Sequence, residues 1–406
     1  MKLKIFSALL AVAILIGFYT VRSNNYTAEA DLTQQTVTVS SAETPAKRVL
    51  SISANLEPAL QTKPKLGIKY ARNFNIDYLT DGLKLVTDSD GNKLLLTPKG
   101  VNRPSGYDDA TLVETPITRA MYSSTTYVGL IGALEDESLY DSVAIVTTGE
   151  DGWTIPQILE RFKSGVTLYV KHGSSSVGNI EEIIGINPDF VFTGGNDESD
   201  MQLRCLLDEI GIKHATLLEW TEEGHLANLE WIKFFAAFFN LDEKADRIFE
   251  EKIAYLDELY EKSAGIPDKP TVAYGLVWNG KVYTQSGTST LARQIEKAGG
   301  VYALTDIEGT GSVTITMEEF LNKCRDADIL IYGSLLQNCP DKAYLLGIEP
   351  LMAEFSAFKN DRIFVFGYGY YMNNAKVVEK FKDMLAVFHP DMFPDYELVV
   401  YQKLPD

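Results

Sequence analysis

The chain is poor in the residues that usually announce chemistry. Its 406 residues include only three cysteines and four histidines. Cys205, Cys324 and Cys339 contain no CxxC pair, and an odd count leaves at least one thiol free. Cys324 and Cys339 are the one pair close enough in sequence to suggest a disulfide, which an exported protein could form. His172, His214, His225 and His389 are scattered, without the HxxxH spacing that sets two imidazoles on one helical face for zinc. No GxSxG, GxGxxG or GxxxxGK[ST] is present, so neither a nucleophile elbow nor a nucleotide cradle is written locally. Positive charge is scarce too: 37 Lys and Arg stand against 56 Asp and Glu, a formal charge of −19. A field of that sign opposes binding along a phosphate backbone and docking on anionic lipid. Together these absences favour a binding protein over an enzyme and exclude nucleic acid as the expected partner.

What is present is a globular composition, with 45% hydrophobic and 23% charged residues. The length exceeds one ordinary core and suits two domains. Lys2 and Lys4 precede an apolar run over residues 5–19, the pattern of a secretory signal or N-terminal anchor at residues 1–21. Ala28-Glu29-Ala30 has a cleavage-like spacing, and both a cleaved and a retained form fit. No cysteine follows the apolar run, which excludes lipidation there. Residues 22–64, rich in Ser, Thr, Gln and Ala, read as a flexible linker. The expected place is therefore extracytoplasmic, with the membrane reached only through the N-terminal segment.

Folding is expected from residue 65. Short alternating runs separated by Asp-Gly turns predict a β-meander over residues 70–100. Buried strands at 143–146, 167–170 and 190–192 then alternate with amphipathic helices at 155–162 and 201–210. This is the signature of a parallel α/β sheet, and it defines an N-terminal lobe over 65–240. Residues 241–264 contain no Gly or Pro and carry an apolar stripe at helical period, so 241–265 reads as one long bridging helix. The α/β pattern resumes over 268–406, with strands at 272–278, 328–332 and 362–366 and a last helix over 375–388. The stretch IEEIIGINPDFVFTGG at 180–195 has an echo in MEEFLNKCRDADILIYG at 317–333. Each reads apolar-Glu-Glu-apolar-apolar, then Asp, a buried strand and Gly. The repeat flanks the long helix. The fold class that follows is α/β: two Rossmann-like parallel-sheet lobes joined by one helix, behind a small N-terminal β-meander.

In open parallel sheets, ligands bind beyond the carboxyl ends of the strands. That rule selects Tyr122, Ser123, Trp153 and His172 in the first lobe. In the second it selects Trp278, Lys281, Tyr283, Tyr368, Tyr370 and Tyr371. Residues 193–196 (TGGN) fall at the same edge. The set is aromatic, with one lysine and one histidine, and holds no pair of carboxylates for acid–base catalysis.

The segments at 180–195, TSTLARQIEKAGGVYAL at 288–304 and MEEFLNKCRDADILIYGS at 317–334 resemble those of substrate-binding proteins of ABC importers for iron–siderophore complexes, haem and cobalamin. The resemblance covers about residues 115–390. It implies a rigid two-lobe clamp, monomeric, with a metal chelate held in the cleft by aromatic and basic side chains. It implies no cofactor of the protein's own and docking of both lobes on an ABC permease. An iron–siderophore is the first expectation for the chelate and haem or cobalamin the second, with Tyr122, His172, Tyr283 or Tyr370 as axial ligand for haem. A two-lobe α/β enzyme is the alternative of another class. The family commonly carries a Glu on the first helix of each lobe. Here those positions hold Gly129 and Arg293, with Glu135, Glu137 and Glu296 nearby, and the family's lipid-bearing cysteine is also missing.

Overall fold

The structure, a computed structural model, describes residues 67–406 except 174–176, 178, 196 and 310. The apolar N-terminal run, the linker and Asn196 lie outside the described residues. Among the described residues no helix is long and apolar enough to cross a membrane.

Three sheets organise the chain. In the first, β1 (Asn75–Tyr78), β2 (Lys84–Thr87) and β3 (Lys93–Pro98) form the expected antiparallel hairpins. β4 (Thr111–Thr115) then joins β3 in parallel, so this sheet is not a pure meander. The crossover through residues 99–110 lets β4 run in the direction of β3, where a tight turn would have made it antiparallel.

The second sheet holds β5 (Ala120–Tyr122), β6 (Val143–Val146), β7 (Leu168–Tyr169), β8 (Phe190–Gly194) and β9 (His214–Leu217), in the order β7-β6-β5-β8-β9. Every pair is parallel. This is the doubly wound order, and its direction reverses between β5 and β8. One strand departs from expectation. β7 is an edge strand whose Leu168 and Tyr169 are exposed, not a buried one.

The third sheet runs β13-β11-β10-β14-β15-β16, with β12 beside β10. β10 (Thr271–Trp278), β12 (Val301–Tyr302), β14 (Ile329–Leu335) and β15 (Ile363–Phe366) are parallel. β11 (Lys281–Gln285), β13 (Ser312–Thr316) and β16 (Tyr401–Lys403) are antiparallel additions, so this lobe is mixed. The cause is local. Asn279 and Gly280 both have positive φ, 50° and 70°, which is the two-residue turn that sends a strand straight back.

The repeated motif has a physical reason. Asn179 and Thr316 cap the helices Ile180–Ile186 and Met317–Cys324. The Asp that follows each helix fastens the neighbouring strand. Asp189 Oδ2 accepts the N–H groups of Thr118 (2.9 Å) and Arg119 (3.0 Å), just ahead of β5. Asp328 Oδ2 accepts that of Thr271 (2.8 Å), the first residue of β10. Each unit thus sets the first strand of its lobe beside its own.

The bridging helix spans Asp242–Ala264, 23 residues or about 35 Å. A second helix beside it escapes the sequence reading. This central helix, His225–Phe239, buries twelve of its fifteen residues, among them Trp231, Phe234, Phe235 and Phe238. It packs on the first-lobe helix Thr125–Gly132, on the bridging helix and on the last helix, Val377–Phe388. An all-round apolar helix has no amphipathic period to betray it. Two latches hold the small N-terminal parts to this centre. Lys84 Nζ donates to Ala237 O (2.7 Å) and pairs with Asp242 (2.6 Å). Asp88 Oδ2 accepts from Thr216 N (2.8 Å), so the β2–β3 turn covers the outer edge of β9. Cys205, Cys324 and Cys339 are all free, and burial pushes the Cys324 and Cys339 thiols up to about 12.

Candidate functional site

The site is built where the strands of the two lobes end. In the first lobe the switch point between β5 and β8 places Ser123 beside the end of β8. Ser123 N donates to Phe192 O (3.0 Å), and Ser123 O accepts from Thr147 Oγ1 (2.8 Å). In the second lobe the carboxyl ends of β10 and β15 carry Trp278 and the loop 367–372. Tyr368 is 53% exposed and Tyr371 38%, and Trp278 is partly exposed.

The two edges meet. The loop 367–372 crosses to the first lobe, where Thr154 Oγ1 lies 3.8 Å from Met372 Sδ. A Cβ on Gly369 would collide with Thr154 Oγ1, at 2.5 Å. A Cβ on Gly129 would fall inside the Met372 carbonyl group. Gly129, where the resemblance leads one to expect a glutamate, is therefore a packing position between lobes and not an exposed docking contact. Arg293, by contrast, is exposed on the helix Thr290–Lys297.

Several of the expected ligand residues belong elsewhere. Tyr122 is fully buried, stacked on Phe192 at 5.1 Å with its hydroxyl bonded to Ser142 Oγ (2.8 Å). Trp153 is 5% exposed, and its indole N–H donates to Thr148 O (3.0 Å). Both point into the core, because a position at a strand's end does not say which face its side chain takes. His172 has a side chain only 3% exposed, paired with Asp200 at 2.7 Å. Lys281 and Tyr283 lie in β11 and not in a loop, Lys281 exposed and Tyr283 half-buried. Thr193, in the expected polar tail, is buried inside β8. Tyr370 supports the rim from beneath: its ring stacks on Phe366 at 3.9 Å, and Lys380 Nζ lies 4.6 Å from its centroid on the other side. Burial lowers the Lys380 ammonium to about 8. Asn374 Oδ1 accepts from it at 3.1 Å. Ser123, Trp278, Tyr368 and Tyr371 remain at the cleft edge. Thr154 and Met372 escape sequence reading, since neither carries a local signal. No group of three or more His, Cys, Asp or Glu among the described residues is disposed to hold a metal ion.

Behind the first-lobe edge sits a buried acid. Glu219 is 4% exposed, and its Oε2 has no hydrogen-bond partner among the described residues. Burial dominates and pushes its carboxyl up from 4.5 to about 8, against the pull of nearby backbone N–H groups and the Tyr127 hydroxyl. The folded protein therefore holds this proton more tightly than the unfolded chain does. The stability it contributes is complete below pH 4.5 and is lost as pH rises through about 8. Glu219→Gln keeps the neutral shape at every pH. Denaturant titrations are expected to show the wild type losing roughly 3 kcal/mol more than this variant between about pH 5 and pH 9. Parallel pH profiles would refute the assignment.

No protein-family model matches the chain. It is 30% identical over 352 residues to the uncharacterized lipoprotein MJ0878 of Methanocaldococcus jannaschii, spanning 80% of this chain and 82% of the relative. Solved structures share the fold. A periplasmic solute binding protein from Veillonella parvula superposes with a TM-score of 0.54 at 18% identity, over 78% of this chain and 89% of that one. The TroA-like periplasmic binding protein FepB from the same organism gives 0.53 at 16% identity, over 79% and 99%. A periplasmic heme binding protein from Pseudomonas aeruginosa gives 0.51 at 16%, over 68% and 93%. The chain belongs to the family of the lipoprotein MJ0878, and its own two α/β lobes on a helical bridge have the fold of the periplasmic solute-binding proteins.

Proposed function

We propose that the protein is an extracytoplasmic solute-binding protein that captures a metal chelate between its lobes and delivers it to an ABC importer. The observation that carries this reading is the aromatic rim of Trp278, Tyr368 and Tyr371 on the second lobe, set against the switch point of the first. Flat, partly exposed aromatic side chains on a rigid loop offer a large contact area at small entropic cost, which suits a bulky chelate. The Lys380 ammonium behind Tyr370 adds a positive field, which favours an anionic complex. An iron–siderophore fits these features first. Haem or cobalamin is the second reading, favoured by the structural likeness to a heme binding protein. The lipoprotein name of the relative and the periplasmic origin of the structural neighbours support a place outside the cytoplasm.

Thermal unfolding against a ferric siderophore, haem and cobalamin tests the proposal. A ligand at a hundred times its Kd adds about 2.7 kcal/mol of stability. One of the three is expected to raise the Tm saturably and to be recovered unaltered by mass spectrometry. Trp278→Ala and Tyr368→Ala are each expected to weaken that binding by about tenfold to a hundredfold, with the unliganded Tm held within a few degrees. No stabilisation by any ligand would sink the reading, and chemical conversion of the ligand would favour the enzyme alternative.

A further inference from the structure

A separate cavity lies where the first described residues cross the start of the central helix. It is a half-open groove of about 390 Å³, along which Lys69, Arg72, Arg293 and Lys297 are exposed. Its walls are residues 69–72, the start of the central helix at 224–227 and one face of the helix Thr290–Lys297. It shares no residue with the aromatic rim.

The lining is charged against the sign of the molecule. In a chain of net charge −19, Lys69, Arg72, Arg293 and Lys297 face a single carboxylate, Glu223. Lys69 is paired with Glu250 outside the lining. Arg72, Arg293 and Lys297 make no ion pair with a carboxylate among the described residues. Arg293 is held at the wall by Thr288 O and Thr290 Oγ1. Lys297 Nζ sits 4.2 Å from the centroid of the Tyr260 ring. Beside them His225 is tied on both ring nitrogens, to Gln294 Nε2 at 2.9 Å and Tyr260 Oη at 2.8 Å. Burial, with Lys297 and Lys380 nearby, lowers this imidazole to about 4, so it stays neutral. The central helix brings its positive end to the same space, with no side-chain cap on its first turn.

Glu230 and Glu222 hold the backbone of this wall from behind, but the lining itself sets four cations against one carboxylate, and an anion between them relieves their mutual repulsion. In a chain of net charge −19, a lining of four cations and one carboxylate is a specific arrangement. We propose that the cavity is a binding site for a compact dianion of the phosphate or phosphomonoester class, held by Arg72, Arg293 and Lys297. Because its walls come from the strap formed by residues 69–72, the central helix and the second lobe, the bound anion also ties these three parts together.

The test is calorimetry and thermal unfolding of the full chain with inorganic phosphate, then with glycerol 1-phosphate, against chloride at constant ionic strength. Saturable binding and a raised Tm are expected with phosphate. Binding of the ester as well would place an esterified phosphate in the cavity, and binding of phosphate alone a free anion. Arg293→Gln combined with Lys297→Gln is expected to weaken binding by about tenfold or more. Glu223→Gln is expected to tighten it severalfold, since it removes the one opposing charge. Arg72→Gln supplies an independent loss if the double variant fails to fold. Absence of saturable binding overturns the proposal, and so does equal binding by wild type and charge variants that fold normally.

Discussion

Replacing Gly129 by leucine is expected to destabilise the protein by about 3 kcal/mol or more, read as a lower denaturant midpoint at unchanged slope. The helix Thr125–Gly132 presents Gly129 to the backbone carbonyl of Met372, in the other lobe. A side chain there meets main chain, which cannot rotate aside as a flexible side chain would. Relief requires the loop 367–372 to withdraw, and with it the contact between Thr154 and Met372. Even alanine is expected to be costly, because the clash begins at Cβ. Gly185 is the control. A Cβ there meets nothing within 4 Å, and the residue lies in the helix Ile180–Ile186. Gly185→Ala is expected to be neutral or to stabilise by about 0.5–1 kcal/mol, through the reduced freedom of the unfolded chain. Equal outcomes for the two substitutions would show that the interlobe contact is not tight. A chelate that needs this loop in place is expected to bind Gly129→Leu more weakly, while one held by Trp278 alone would not distinguish it.

Glu230→Ala carries the second large effect, about 3–5 kcal/mol. Glu230 is fully buried on the central helix. Its carboxylate accepts three successive backbone N–H groups, from Lys69 (2.9 Å), Tyr70 (2.7 Å) and Ala71 (2.9 Å). It also lies 3.3 Å from Lys233 Nζ, which reaches Asp246 at 3.0 Å. Truncation strands three amides and leaves Lys233, with a side chain 3% exposed, with Asp246 as its one remaining carboxylate partner beside Gly67 O and the Phe249 ring. Glu230→Gln keeps the shape and one acceptor oxygen, and about half the loss is expected. The two variants are separated by limited proteolysis. Cleavage before residue 74 should rise sharply in the alanine variant, since the strap loses its anchor. An alanine variant as stable and as resistant as the wild type would refute this account. The neighbouring Glu222 takes the next amides, Arg72 N at 3.0 Å and Asn73 N at 3.0 Å, so a residual hold on the strap is expected.

How much of this was legible in the sequence follows from where the information sits. The bridging helix was readable because its apolar stripe recurs over 23 residues without a breaker. β6 and β15 were readable because both faces of each strand are covered, which leaves an unbroken apolar run. The Asp189 and Asp328 repeat was visible as a pattern, but its purpose required the partner strands, 70 and 57 residues away. The central helix was missed because a helix buried on all sides carries no period. The Asn279-Gly280 turn was in plain view, yet reading it as a ligand loop hid the strand that follows. The site was the least legible part. Strand-end position named Tyr122 and Trp153 as readily as Trp278 and Tyr368, and only burial separates them. The contact of Gly129 with Met372 joins the first helix of one lobe to a loop near the far end of the chain, and nothing local in either segment announces it.

The strap over residues 69–73 also decides how a pull on the N-terminus would be borne. The chain leaves the body through amides fastened to Glu230 and Glu222, one on the central helix and the other just ahead of it. A pull on this strap would load that central axis first, with several hydrogen bonds strained together, ahead of the parallel sheets of the two lobes. Tension applied at residue 69 would therefore reach the central helix before the strands of either lobe.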